Sequence, residues 1–127
     1  MESDKPIVRV LISDDHQMFI DGVKSLLRKE SSIQFVGEVN DGQSALNFLE
    51  VNEVDLLITD ISMGEMSGVE LTKIVKEKYP DIKVLVLSMH DDIGVVTEIF
   101  LAEAEGFILK NTGKKELMDA IHALVLG

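Results

Sequence analysis

Two patterns of apolar residues alternate along the chain: short runs of apolar, often β-branched residues, and longer stretches in which apolar positions recur at helical spacing. The short runs predict β-strands, because polar or turn-forming residues bound them and they are too short for helices. Their limits are 7–12, 33–39, 54–60, 82–88 and 106–110. Most of them do not alternate with polar residues, which is typical of strands buried on both faces in a parallel sheet covered by helices.

The longer stretches predict five helices, one after each strand. Phe19, Val23 and Leu26 with Leu27 give the first helix about four turns, and Ser31-Ser32 ends it. The turn Asn40-Asp41-Gly42 and a capping box from Ser67 to Glu70 start the second and third. The second helix runs through Ala45, Leu46 and Leu49. The third runs through Leu71, Ile74 and Val75 and ends at Tyr79-Pro80. The fourth is predicted from Asp91-Asp92 through Val96 and Phe100, and the last, capped by Thr112, through Leu117, Ile121 and Leu124.

Five successive β–α units with short connections favour one parallel sheet with helices on both faces and right-handed crossovers. We therefore predict one α/β domain over residues 1–127, a flavodoxin-like (βα)5 three-layer sandwich with a five-stranded parallel sheet. Alternation alone does not determine the strand order. The order 2-1-3-4-5 is our prediction, because it puts the more polar second strand at an edge and the apolar first and third strands inside.

Composition narrows the classes of function. Twelve Lys and Arg against 23 Asp and Glu give a net charge of −11, a field that repels nucleic-acid phosphates and attracts divalent cations and basic partner surfaces. The chain contains no Cys, which excludes disulfides and thiolate metal sites. The polar N-terminus and the lack of an apolar run of membrane-spanning length predict a cytoplasmic protein with no membrane contact.

Polar side chains follow the predicted strands at their carboxyl ends. Asp14 and Asp15 follow the first strand, Asp60 ends the third, Ser88 the fourth and Lys110 the fifth. Taken singly, each has a simpler explanation as a helix cap or a solvated residue. Because ligands of open parallel sheets bind beyond these ends, we expect the five side chains to share one pocket.

Three carboxylates at such short distances from one another need a counter-ion. Mg²⁺ fits, with Mn²⁺ as an alternative, because it takes oxygen ligands and needs only one or two carboxylates beside a substrate phosphate. The backbone carbonyl of Ser62 is a further candidate ligand. With Lys110 and Ser88 nearby, the set suits transfer of a phosphoryl group to Asp60, with metal and lysine charge stabilising the phosphoryl oxygens.

Four motifs resemble the receiver domain of two-component response regulators: Leu11-Ile12-Ser13-Asp14-Asp15-His16, Asp60-Ile61-Ser62-Met63 with Gly68 downstream, Leu87-Ser88-Met89-His90-Asp91-Asp92, and Gly106-Phe107-Ile108-Leu109-Lys110. The resemblance covers nearly the whole chain, and this family has the 2-1-3-4-5 order. It implies that Asp60 accepts a phosphoryl group from a phosphohistidine of a sensor histidine kinase. It also implies that Asp15, Asp60 and the Ser62 carbonyl hold Mg²⁺, with Asp14 assisting.

The resemblance further implies a switch. Ser88 would swing to a phosphoryl oxygen and Phe107 would turn inward behind it, with a plain core role as the alternative for Phe107. Because His90 stands two residues after Ser88, we expect it to border the phosphoryl group and, with Ser62, to tune the phosphoryl lifetime; an ordinary surface histidine is the alternative. A protein of this kind is a phosphoacceptor with slow self-dephosphorylation and not an enzyme. His16 and His122 carry little weight as phosphodonors, because they lack the metal and the lysine that Asp60 has.

The first and fourth motifs are most similar to the NarL/FixJ-type subfamily, whose members usually carry a C-terminal helix-turn-helix domain that binds DNA. The sequence ends at Leu126-Gly127, right after the last predicted helix, which leaves two alternatives: a receiver cut from a longer transcription regulator or a stand-alone receiver. We expect the first, with DNA contact only through the missing domain. We also expect a homodimer on phosphorylation.

Three positions depart from the family pattern. Gly64 stands where Pro is common, so the backbone after Asp60 should be less constrained. Ser67 replaces a frequent Asp but can still cap a helix. Asn111 stands where many receivers have Pro after the lysine, so we expect a trans bond there.

Two other functions are open. A phosphatase with Asp60 as a covalent nucleophile is disfavoured, because no second Asp stands two residues later and no insertion forms a substrate lid. An FMN-binding module of the same fold is disfavoured, because an acidic rim repels the FMN phosphate and the loop after the first strand lacks a Gly/Ser/Thr-rich run.

Overall fold

A computed structural model describes residues 7–89 and 93–125 of the chain, and strands and helices alternate through these residues as the apolar pattern predicts. The strands are β1 (Val8–Ser13), β2 (Ile33–Val39), β3 (Leu56–Asp60), β4 (Lys83–Ser88) and β5 (Gly106–Leu109). The helices are α1 (Gln17–Leu27), α2 (Gly42–Val51), α3 (Gly68–Lys78), α4 (Ile93–Leu101) and α5 (Lys114–Val125).

The five strands form one parallel sheet in the order β2-β1-β3-β4-β5. This confirms the flavodoxin-like architecture and the 2-1-3-4-5 order. Every residue of β3 is buried, because β3 lies at the centre of the sheet with helices on both faces. In β2 only Ile33 is buried, which agrees with the edge position that its polarity predicts.

Side chains of successive residues point to opposite faces of the sheet, and this divides the core into two layers. The layer under α1 and α5 includes Ile12, Ile58, Leu87, Ile20 and Ile121. The layer under α2, α3 and α4 includes Leu57, Val86, Ala45, Val75 and Ile99. Both layers pack on the same central strands, so the carboxyl ends of these strands project from a well-packed support.

The predicted start signals hold for two helices and fail for one. The Asp41 carboxylate accepts a hydrogen bond of 2.7 Å from the backbone N–H of Ser44, and Ser67 with Glu70 forms the capping box of α3. The prediction that Thr112 caps α5 is wrong. That helix begins at Lys114, and the Thr112 hydroxyl instead donates to the Leu109 carbonyl at 2.8 Å, where it closes the turn after β5.

Helix α1 is shorter than predicted, with 11 residues, or about three turns. The predicted start of α4 at Asp91-Asp92 lies outside the described residues. The described residues contain no cis peptide bond, which confirms the trans bond expected between Lys110 and Asn111. Over the same described ranges, every helix is too short or too polar to cross a bilayer.

Candidate functional site

Three charged side chains meet at the carboxyl end of the sheet. Asp14 directly follows β1, Asp60 is the last residue of β3, and Lys110 directly follows β5. The residues two positions before them all pack in the layer under α1 and α5: Ile12, Ile58 and Ile108. Because side-chain direction repeats every two residues along a strand, the three charges are aimed at the same side of the rim.

Lys110 lies between the two buried carboxylates. Its Nζ is 2.8 Å from Asp14 Oδ2 and 3.5 Å from Asp60 Oδ2. The side chain is 5% exposed, and its ammonium group lies 4.7 Å from the centre of the Phe19 ring, a cation–π contact. The backbone N–H of Lys110 donates to the Ser88 carbonyl at 2.7 Å, which fixes the lysine to the end of β4.

The end of β2 and the residue that follows it hold the backbone of Asp14. Its backbone N–H donates to the Val39 carbonyl, and its own carbonyl accepts from the Asn40 side-chain amide, both at 3.0 Å. The Asp14 side chain is fully buried, whereas the Asp15 side chain is 46% exposed. Asp14 is therefore a fixed charge at the base of the pocket, and Asp15 stands at its mouth.

Asp60 is a buried carboxylate whose charge is only partly compensated. Burial raises the pKa of Asp60, and the negative charge of Asp14 raises it further, while Lys110 and the backbone N–H of Ser62 act in the opposite direction. Within the described residues, Asp60 Oδ2 and Asp14 Oδ2 have no hydrogen-bond partner, although Lys110 lies at ion-pair distance. The ammonium group at 2.8 Å compensates Asp14 Oδ2. Buried polar atoms are normally paired, so Asp60 Oδ2, which lies 3.5 Å from that group, marks a place that suits a further cation.

Four side chains can hold that cation. Asp14, Asp15, His16 and Asp60 each offer one ligand atom, and these atoms all lie within 4.8 Å of one another. A donor set rich in carboxylate oxygens suits Mg²⁺ and Mn²⁺, so the residues fit the ion that the sequence predicts. Ser62 is placed beside the pocket by its N–H on Asp60, and the ligand role of its carbonyl stays a prediction.

Glycine and methionine shape the loop that follows Asp60. A Cβ on Gly68 would lie 2.2 Å from the Asp60 carbonyl oxygen, so only glycine lets α3 begin this close to the backbone of the acceptor. Met63 is buried, and its sulfur lies 3.0 Å from the Ser13 hydroxyl. Gly64 has a φ of +62°, which proline cannot adopt because its ring holds φ at about −65°. This loop therefore differs in backbone conformation from one with Pro at the same position.

Ser88 and Phe107 lie toward the other layer of the core. Ser88 is fully buried at the end of β4, two residues after Val86, which pairs with Phe107 on β5. Phe107 is half-buried and packs in the layer under α2, α3 and α4. The two predicted switch residues thus share one face of neighbouring strands, while their motion stays a prediction. His90, predicted to tune the phosphoryl lifetime, lies outside the described residues.

Two residues of the pocket are not predicted by the sequence pattern. His16 Nδ1 lies 3.1 Å from Asp14 Oδ1, 3.2 Å from Asp15 Oδ1 and 3.8 Å from Asp60 Oδ2. The expectation that His16 lacks the lysine and the metal site is wrong, because its Nδ1 lies 3.1 Å from Lys110 Nζ and among the candidate metal ligands. The position of His16 next to the acidic pair in the chain is the signal that could have identified it. Phe19 fits the apolar spacing of α1 so well that its contact with Lys110 has no separate signal in the sequence.

Comparisons with known proteins identify a family. The response regulator receiver domain family matches residues 10–122. The transcriptional regulatory protein DegU of Brevibacillus brevis is 38% identical over 120 residues, which cover 94% of this chain and 51% of DegU. The response regulator VraR of Staphylococcus aureus is 36% identical over 114 residues, which cover 90% of this chain and 54% of VraR. The chain therefore spans about half the length of these curated relatives.

Solved structures agree with the sequence matches. The signal receiver domain of the response regulator NarL from Mycobacterium tuberculosis is similar with a TM-score of 0.85 at 32% identity, over 93% of this chain and 95% of that one. The isolated receiver domain of RcsB from Salmonella enterica, in the presence of the phosphomimetic BeF3⁻, has a TM-score of 0.88 at 29% identity, over 95% of this chain and 90% of that one.

Proposed function

The chain belongs to the response regulator receiver domain family, and from this premise we propose that it accepts a phosphoryl group on Asp60 from a phosphohistidine of a sensor histidine kinase. The phosphorylated state would control an output, which in the NarL/FixJ-type relatives is transcription. DNA contact would be made by a separate helix-turn-helix domain of the full regulator. In this proposal the receiver works in the cytoplasm.

One observation supports the proposal most strongly. A buried carboxylate oxygen without a hydrogen-bond partner in the described residues, Asp60 Oδ2, lies 3.5 Å from the ammonium group of Lys110 at the carboxyl end of a parallel sheet. Asp14 and Asp15 bring two further carboxylates to the same pocket. An acceptor oxygen beside a fixed cation and a metal-binding group is what phosphoryl transfer to a carboxylate needs.

Asp60 is the acceptor in the proposed step. One of its oxygens forms a bond to phosphorus, the bond between phosphorus and the imidazole nitrogen of the donor breaks, and the electron pair of that bond remains on the nitrogen. Lys110 keeps a positive charge beside the arriving phosphoryl oxygens. Its own placement is secured by Asp14, at 2.8 Å, and by the Phe19 ring.

The divalent ion of the proposal would be held by Asp15, Asp60 and the Ser62 carbonyl, with Asp14 assisting. Mg²⁺ is the expected ion and Mn²⁺ an alternative. When bound, such an ion supplies positive charge to the phosphoryl oxygens. Among the described residues, the pocket brings Lys110 against the carboxylates of Asp14, Asp15 and Asp60, so a bound ion would offset negative charge that opposes a phosphate donor.

Ser88 and Phe107 would transmit the phosphorylated state to the surface of α4, β5 and α5. Large apolar side chains are exposed on α4: Ile93, Phe100 and Leu101. Exposed apolar side chains of this kind suit contact with a partner, so a second copy of the chain is the partner we propose for this surface. Slow self-dephosphorylation, tuned by Ser62 and His90, would return the receiver to its resting state.

Incubation with Mg²⁺ and acetyl phosphate tests the proposal, with intact-mass spectrometry as the readout. The wild-type chain should gain the mass of one phosphoryl group, and EDTA or Asp60→Asn should prevent the gain. Asp81→Asn is the matched control, because Asp81 is exposed and precedes β4 at the opposite end of the sheet. Phosphorylation of the Asp60→Asn protein would refute Asp60 as the acceptor.

The same preparations separate the two alternatives. Rapid hydrolysis of p-nitrophenyl phosphate that depends on Asp60 would identify a phosphatase. A yellow protein that releases FMN on denaturation would identify a flavin module. Phosphorylation that stops at one group per chain, with neither of these properties, is the result expected for a receiver.

A further inference from the structure

His16 occupies a position in the pocket that the proposed phosphoryl transfer does not use. Its Nδ1 faces the carboxylates of Asp14, Asp15 and Asp60 at 3.1, 3.2 and 3.8 Å. The residue stands at the N-cap position of α1, but its side chain makes no capping hydrogen bond. The imidazole is therefore held over the acidic cluster without a structural role in the helix.

The backbone fixes this arrangement. The backbone N–H of His16 donates to Asp14 Oδ1 at 2.9 Å, so the residue is tied to the same carboxylate that its ring faces. Lys110 Nζ lies 3.1 Å from His16 Nδ1. In the tautomer with its proton on Nε2, the Nδ1 lone pair faces this ammonium group and the carboxylates, and a metal ion on Nδ1 would replace the ammonium group as its partner.

The distances suit one shared ion. Ligand atoms that bind one ion at about 2.1 Å in an octahedron lie about 3.0 Å apart when adjacent and about 4.2 Å apart when opposite. The three distances from His16 Nδ1 fall at or between these values. An independent observation also points to a ligand, since the buried atom Asp60 Oδ2 has no hydrogen-bond partner in the described residues and lies 3.5 Å from Lys110 Nζ.

We propose that His16 is a nitrogen ligand of this metal site and shifts its preference from Mg²⁺ toward first-row transition ions such as Mn²⁺, Co²⁺ and Ni²⁺. This inference rests on the proposed function, in which the pocket binds a divalent ion. Imidazole is a good ligand for transition ions, whereas Mg²⁺ takes oxygen ligands and keeps several waters. Carboxylates alone also bind Ni²⁺ more tightly than Mg²⁺, so the decisive quantity is the change in selectivity when His16 is removed.

Isothermal titration of the untagged chain with Mg²⁺, Mn²⁺ and Ni²⁺ measures this change, because a polyhistidine tag would itself bind Ni²⁺. His16→Gln should weaken Ni²⁺ binding by about tenfold or more, while Mg²⁺ binding changes by less than about threefold because Mg²⁺ gains little from imidazole. His122→Gln is the matched control, since His122 lies on α5 and contacts Glu30 at 3.1 Å. It should leave both affinities unchanged. An equal loss for both ions in His16→Gln, or no loss, would overturn the proposal.

Pulsed electron paramagnetic resonance of the Mn²⁺-loaded chain gives a second readout that does not depend on affinity. Coupling of the ion to a directly bound nitrogen should be present in the wild type and in His122→Gln, and absent in His16→Gln. A wild-type spectrum without nitrogen coupling would refute His16 as a ligand even if the variant did not fold.

The outcomes distinguish this inference from the proposed function. If His16→Gln keeps the metal selectivity of the wild type and the wild type is phosphorylated on Asp60 with Mg²⁺, the ligand role of His16 fails and the receiver function stands. If the wild type binds none of these ions and is not phosphorylated, both fail together.

Discussion

Gly68→Ala places one methyl group where the structure has no room for it. Gly68 is the first residue of α3, and its backbone N–H donates to the Ile61 carbonyl at 2.8 Å. A Cβ at this position would lie 2.2 Å from the Asp60 carbonyl oxygen and 2.8 Å from Ile61 Cα. Both obstacles are backbone atoms, so a side-chain rotation cannot relieve the overlap.

The expected cost follows from these distances. The methyl group and the Asp60 oxygen must separate by about 1.2 Å to reach an ordinary contact of 3.4 Å, and overpacking of this kind costs about 1–3 kcal/mol. Weakening the Gly68–Ile61 hydrogen bond adds about 0.5–1.5 kcal/mol, and the better helix propensity of alanine offsets about 1 kcal/mol. We therefore expect a net loss of about 0.5–3.5 kcal/mol. For a chain of this size, this lowers Tm by about 4 °C per kcal/mol.

Urea titration and thermal melting measure this loss, and Gly22→Ala is the matched control. Gly22 lies in the middle of α1, where an added methyl group would have no packing neighbour within 4 Å, so alanine should stabilise the protein there by about 0.5–1 kcal/mol. The same substitution is thus expected to have opposite signs at the two sites. Gly68→Ala should also slow phosphorylation by acetyl phosphate, because the displaced backbone belongs to Asp60. Equal stability of the Gly68→Ala protein and the wild type would refute the close approach of α3 to β3.

Three other perturbations test separate contacts. Asp60→Asn should stabilise the metal-free protein at neutral pH. Burial and a neighbouring carboxylate raise the pKa of Asp60, so the folded protein binds this proton more tightly than the unfolded chain does. The resulting contribution to the free energy of unfolding is complete below the ordinary pKa of 3.8 and is lost as pH rises through the folded-state pKa. Urea titrations in EDTA should therefore show the advantage of the variant growing with pH across that window, and a constant difference would contradict the assignment. Lys76→Met should cost about 1–3 kcal/mol in the same assay, because this side chain, 9% exposed, donates to two backbone carbonyls and to Glu105. Lys73→Met, at an exposed position of the same helix, should change stability by no more than about 0.5 kcal/mol. Ser67→Ala should cost about 1 kcal/mol by removing the capping box of α3, and no change in the melting temperature would contradict that role.

Much of the fold is readable from local patterns. Runs of apolar residues predict the strands, helical spacing predicts the helices, and the polarity of Ile33–Val39 predicts the edge position of β2. The prediction for Thr112 fails because a hydroxyl near a helix start can either accept a hydrogen bond from a helix N–H or donate one to a nearby carbonyl. Its choice of the Leu109 carbonyl depends on how the turn after β5 is built.

In the candidate site, too, local patterns predict some features and only the tertiary structure decides the others. The sequence alone predicts that Asp14, Asp60 and Lys110 leave their strands at the same end of the sheet, because parallel strands share one carboxyl end. The structure decides that they also lie on the same side, since Ile12, Ile58 and Ile108 pack in one layer of the core. The sequence does not determine the contacts of His16 and Phe19 with this group, or the need for glycine at position 68. Those depend on how α1 and α3 pack against strands that are distant in the chain. Only the tertiary structure decides them, because a backbone separation of one or two ångströms is set by the packing of the whole core and leaves no periodic trace in the residues themselves.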